Sequence, residues 1–205
     1  MMSTKCSRNR SIYAAAAFLA VFGVSGSSVW AQKPEVQRLY QSGSYEQAVE
    51  AAQNGDPATT YLAAQSLLKL ERADRAGEEF NRLNSQGQDV WRFIGASGSA
   101  LIANNAGEAV ALARKAVDAD GGNPFAHYQL GLSASKASDW GTAVPAFTKA
   151  VELKPDFAYA HYYAALAYQR QRNLPKTAEH FDAFLRLAPD APERGAVMAI
   201  LRTIK

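Results

Sequence analysis

Residues 124–191 read PFAHYQLGLSASKASDWGTAVPAFTKAVELKPDF and then AYAHYYAALAYQRQRNLPKTAEHFDAFLRLAPDA, and the second half repeats the first. Ala126/Ala160, His127/His161, Tyr128/Tyr162, Leu132/Leu166, Phe147/Phe181, Leu153/Leu187, Pro155/Pro189 and Asp156/Asp190 are each 34 residues apart. Identities at one fixed offset signal stacked supersecondary units, each burying its apolar face against the next, in place of a single globular core.

The unit 124–157 resembles a tetratricopeptide repeat (TPR), two antiparallel helices in 34 residues with the pattern W-x2-L-G-x2-Y, then Ala, Phe and Pro. Leu130, Gly131, Ala143, Phe147, Ala150 and Pro155 carry the resemblance, while His127 stands for the Trp and Ala134 for the Tyr. Gly131 and Ala143 are small where two helices must approach closely, and Leu130 and Phe147 fill the space between them. Asp139-Trp140-Gly141 reads as the turn between the helices, and Pro155-Asp156 as the end of the second helix and the cap of the next. The unit 158–191 keeps Tyr168, Phe181 and Pro189, with Thr177 in place of the Ala. Pro175 falls in the first turn of its helix, and Pro145 is expected there too.

The same period extends upstream. Residues 90–123 place small residues at Ala96, Ser97, Ala109, Ala113 and Ala116, and Ala113 in the Phe position predicts a thinner interface. Residues 57–89 follow with Ala63, Ala64, Ala76 and Phe80, and 32–56 form a shortened first unit around the turn Ser42-Gly43-Ser44. Asp190-Ala191-Pro192-Glu193 reads as a helix start with a capping-box glutamate. Ala196, Val197, Ile200 and Leu201 then mark one face of a capping helix over 192–204. The expectation is an all-α, right-handed α-solenoid of about five TPR helix-turn-helix repeats with a C-terminal capping helix, forming one domain over 32–205.

The first 31 residues read differently. Lys5, Arg8 and Arg10 precede an uncharged run from Ile12 to Val24, and Val29-Trp30-Ala31 offers small residues at the −3 and −1 positions of a cut. This is the layout of a secretory signal peptide. The alternative is an uncleaved anchor, but the run is shorter than the ~20 residues that span a bilayer as helix. The leader implies export across an inner membrane, most simply to the periplasm, with no stable membrane insertion after cleavage. It holds three of the 22 Lys and Arg, none of the 19 Asp and Glu, and the sole cysteine, Cys6. What remains has 19 charges of each sign, which removes the basic balance that nucleic acid as a partner would call for.

Catalytic signatures are lacking: GxSxG, HExxH and a Walker-type glycine loop do not occur. His127, His161 and His180 allow a three-imidazole metal site, or packing histidines with one bonded nitrogen each. The reading is of a non-enzymatic scaffold without cofactor or metal. In the TPR family the first helix of each pair lines a concave face, and five positions of it meet the ligand. By that resemblance the groove is lined by Tyr61, Trp91, Ile94, Phe125, Tyr128, Leu132, Tyr159, Tyr162 and Leu166, with Lys69, Lys136 and Arg170 on its rim. An aromatic ladder with a cationic rim suits an acidic peptide or protein segment with apolar anchors, whereas the family's two-carboxylate clamp lacks its Lys, Asn and Arg here. Packing between repeats, or self-association into a homo-oligomer, are the alternative uses of the ladder.

Overall fold

A computed structural model describes residues 29–53, 55–85 and 88–204, with side chains from Pro34 onward. Eleven helices and no strand occur among the described residues. They form five antiparallel hairpins: α1 (Val29–Gln41) with α2 (Tyr45–Ala51), α3 (Pro57–Lys69) with α4 (Ala73–Ser85), and α5 (Asp89–Ile102) with α6 (Ala106–Ala119). α7 (Pro124–Lys136) pairs with α8 (Trp140–Leu153), α9 (Ala158–Arg170) with α10 (Leu174–Leu187), and α11 (Arg194–Ile204) follows. Residues 1–28 of the expected leader lie outside the described residues, and 29–31 open α1.

All five hairpins use the same turn. Gly43, Glu71, Asn104, Ser138 and Arg172 have φ between 58° and 81°. The next N–H bonds back five residues: Ser44 to Leu39, Arg72 to Leu67, Asn105 to Ala100, Asp139 to Ala134 and Asn173 to Tyr168, at 2.8–3.0 Å. This is the Schellman closure, which satisfies carbonyls that a helix end leaves open. In three turns the residue that makes this bond also caps the second helix: Asn105, Asp139 and Asn173 accept from the N–H of Glu108, Thr142 and Lys176. The turn is therefore Ala137-Ser138-Asp139, and Trp140-Gly141, expected within it, already belong to α8. Pro145 consequently sits inside α8 beyond the first turn. It is tolerated because it is exposed, as is Gly141, whose carbonyl loses its helical donor to the proline. Asp156 does not cap α9, whose N-cap is Phe157.

Phenylalanines wedge the helices together. Phe80, Phe147 and Phe181 are fully buried. A Cβ on Gly131 would lie 2.5 Å from the ring of Phe147, and one on Gly98 2.5 Å from the ring of Phe80. At the third hairpin Ala113, with Leu130 and Ala146, makes a small cluster apart from the main core.

The inner face is closed across the solenoid by its first and last hairpins. Gln37 and Gln41 of α1 donate to the Asp156 carbonyl at 3.1 and 2.9 Å, and the ring of Tyr40 lies 4.7 Å from that of Tyr159. Val36, Leu39 and Tyr40 of α1 are buried.

Candidate functional site

The first helix of each hairpin turns its rings inward. Tyr61 meets Phe125 edge-on at 5.5 Å and Tyr128 at 6.3 Å, Trp91 lies 5.7 Å from Phe125, and Tyr128 lies 4.6 Å from Phe157. Tyr61, Ile94, Tyr128 and Tyr159 are fully buried, and Trp91 and Phe125 are each 8% exposed. Six of the nine expected groove residues are thus buried, and of these Phe125 still borders a cavity of about 330 Å³ with Ala58, Leu62 and Pro124. Leu132, Tyr162 and Leu166 are half-buried. The physical reason is the crossing of the inner face: rings separated by two or more repeats come within van der Waals reach and fill the space a ligand would need.

Several buried polar groups in this interior find partners. Tyr61 donates to Gln129 Oε1 at 2.8 Å, Gln129 Nε2 donates to Ser97 Oγ at 3.0 Å, and Ser97 and Ser133 share a hydrogen bond at 3.0 Å. The hydroxyls of Tyr40 and Tyr128 are buried without a hydrogen-bond partner. Burial pushes the phenols of Tyr40, Tyr61, Tyr128 and Tyr159 up, so all four are neutral donors at physiological pH.

One of the cavities that stay open, of about 330 Å³, lies at the C-terminal ends of α3, α5 and α7. Gln65, Leu68 and Lys69 come from α3, Leu101 from α5, Leu132 and Lys136 from α7, with Phe80, Gly98 and Tyr163 completing the lining. Its floor is aliphatic and aromatic, and two ammonium groups stand at its edge. Both lysines lie in the last turn of a helix, where a cation also meets the partial negative charge of the helix end. Lys136 is exposed. Burial lowers the Lys69 pKa, but Tyr163 and Glu193 outweigh it and push it up to about 12. Arg170, expected on the same rim, instead stacks on Trp140 at 5.7 Å.

Glu193 was not legible as part of this site. Read as a capping-box acid, it instead accepts from Lys69 Nζ at 2.7 Å and from the Tyr159 hydroxyl at 2.8 Å. Tyr159 and Tyr45 share a further bond at 2.8 Å. Tyr163 was missed as well, because its repeat position carries no ligand role in the family pattern.

The histidines do not converge. His127 Nε2 bonds the Gly121 carbonyl at 3.0 Å, away from the other two. His161 and His180 pair through their Nδ1 atoms at 3.2 Å, His161 Nε2 bonds the Pro155 carbonyl at 3.2 Å, and Tyr168 stacks on His180. Among the described residues no group of three His, Cys, Asp or Glu could hold a metal ion. Burial lowers both pKa values, with Arg186 opposing His161 further and His161 opposing His180, which falls to about 4; Glu179 works against both shifts and Lys176 adds to that of His180. The unfolded chain takes up these protons near the ordinary value of 6.5 and the fold resists until lower pH. Stability contributed by the neutral pair is therefore complete above pH 6.5 and lost as pH falls toward 4. Urea unfolding is expected to lose about 2–3 kcal/mol over that interval, and His180→Phe should flatten the profile. A variant with an unchanged slope would refute the assignment.

Residues 128–192 match the family model described as tetratricopeptide repeat. The match covers less than half of the chain, and the fold carries the likeness further. TTC0263, a TPR protein of Thermus thermophilus, superposes with a TM-score of 0.60 at 17% identity, covering 86% of this chain and 98% of that one. The first TPR of Spaghetti (RPAP3), solved bound to the HSP90 peptide SRMEEVD, superposes with a TM-score of 0.53 at 20% identity, covering 57% of this chain and 90% of that one. No curated protein sequence matches significantly. At these identities the TPR likeness establishes an all-α helical-repeat fold, and the contents of its inner face are this chain's own. Among the described residues no helix is long and apolar enough to cross a membrane.

Proposed function

We propose that this chain is a non-enzymatic scaffold, exported to a bacterial periplasm, that holds a protein segment at the cavity formed by the ends of α3, α5 and α7 and so supports a cell-envelope assembly. The carrying observation is that cavity's combination of an apolar floor, Leu68, Leu101 and Leu132, with Lys69 and Lys136 at its edge. Short apolar side chains flanked by acids match it in shape and charge. The RPAP3 repeat, similar in fold, was solved bound to a peptide, and the cavity is one place where the inner helices of this chain leave room for such a segment. Phe80 and Tyr163 then act as the aromatic wall of the cavity, and Leu132, Lys69 and Lys136 as contacts. The leader pattern of residues 1–31 supports export.

A photoreactive benzoylphenylalanine at Lys136 tests this reading in the native cell. Discrete crosslinked products are expected from that position, from the envelope fraction, and none from the same residue placed at Glu108, which is exposed on α6. Equal products at both sites, or none at either, would remove the cavity as the contact surface.

A further inference from the structure

The segment that joins α10 to α11 lies against the inner face. Pro192 packs on Gly43, whose missing Cβ would lie 2.6 Å from the proline Cγ. One residue on, Glu193 sends its carboxylate away from the helix it precedes and onto the inner face. There Lys69 and Tyr159 each hold one of its oxygens. The Lys69 ammonium in turn lies 4.7 Å from the centre of the Tyr159 ring and 5.9 and 5.8 Å from those of Tyr162 and Tyr163. An ammonium, a phenol donor and a set of ring faces make a small carboxylate receptor. It is half-open, with the side chains of Lys69 and Glu193 23% and 17% exposed. Lys69 and Tyr163 also line the cavity, so the receptor and the apolar floor are continuous. α11 itself buries only Val197 and Leu201.

We propose that Glu193 is a resident occupant of this receptor, and that an acidic peptide enters the cavity by replacing it on Lys69. This rests on the cavity being the binding surface and adds which chemistry opens it. The incoming group is a carboxylate, from a side chain or a chain terminus, next to an apolar residue that takes the Leu68, Leu101 and Leu132 floor. Because Glu193 is tethered, it competes at high effective concentration, and the free protein is held in a low-affinity state.

The test is selection of a random nonapeptide phage library on the full chain and on Glu193→Gln, followed by titration of the selected synthetic peptides and of their analogues with Gln, Asn and a terminal amide. Sequences enriched on Glu193→Gln are expected to carry an acid beside an apolar residue. They should bind the unaltered chain about tenfold more weakly. Adding Lys69→Met should abolish the preference for the acid over its amide analogue. Hydrogen exchange in α11 of the unaltered chain should quicken when the peptide is bound. If the enriched peptides bind both proteins equally, or the acid and amide forms bind alike, Glu193 does not compete and the proposal falls while the cavity stands. If neither protein enriches any peptide that Leu132→Asp abolishes, the cavity reading falls and takes this proposal with it.

Discussion

Gly95→Ala is expected to destabilise the fold by about 3 kcal/mol, because the added methyl group enters backbone at an already closed helix contact. A Cβ there would lie 2.4 Å from the Phe80 carbonyl oxygen, 2.9 Å from Leu83 Cβ and 3.4 Å from Asn84 Oδ1. The carbonyl belongs to α4 and cannot rotate aside as a ring can, so α4 and α5 must move apart. Separation would also loosen Phe80 and Leu83, both fully buried. Gly98 and Gly131 look as crowded, but the atoms they face are the edges of the Phe80 and Phe147 rings. Alanine at those two should cost less, since a ring can tilt. The control is Gly107→Ala in α6, where nothing lies within 4 Å of the added Cβ. It should stabilise by about 0.5 kcal/mol through the unfolded chain's lost freedom. Urea midpoints by circular dichroism compare the four, and a Gly95→Ala midpoint matching that of Gly107→Ala would show that α4 and α5 are not in close contact.

Contacts between neighbours in the chain were legible because a repeat writes them many times. Gly131 under Phe147, the small residues along helix faces and the helix ends at Gly121-Gly122 follow from side-chain volume and the 34-residue period. Some local readings missed by a few residues. Asp139 can serve as turn or cap in sequence, and the left-handed Ser138 that decides between them carries no glycine signal. Closure was not legible at all. The bonds that make it, Gln41 to Asp156, Tyr45 to Tyr159 and Lys69 to Glu193, join residues 114 to 124 positions apart. Periodicity fixes how one hairpin sits on the next and leaves open how sharply five of them curl. A small added rotation per hairpin turns an open groove lined by Trp91, Phe125 and Tyr159 into a filled interior. The same curl brings Glu193 to Lys69, which no local pattern could show.

Alanine at Trp91, Phe125 and Tyr159 together is expected to unfold the chain, where an open ladder would have lost only its ligand. Each ring is at most 8% exposed, and truncating a buried aromatic side chain to Ala costs about 3–5 kcal/mol. Their sum rivals the roughly 5–15 kcal/mol that holds a typical domain together. The helical signal should be weak at room temperature for the triple variant, and each single variant should melt early. Tyr159 has a second role that its size does not explain. Its hydroxyl links Tyr45 to Glu193, so Tyr159→Phe keeps the ring but leaves two polar groups short of a partner. That change should cost about 1–3 kcal/mol, the penalty for a buried polar group left unmade. Part of it should return in Tyr159→Phe combined with Tyr45→Phe, where no phenol is left without its partner and Glu193 still holds Lys69. If the triple alanine variant kept full helicity and its melting midpoint, the rings would have to be exposed and the inner face open. If Tyr159→Phe were silent, the hydroxyl chain from Tyr45 to Lys69 would not hold the two ends of the solenoid together.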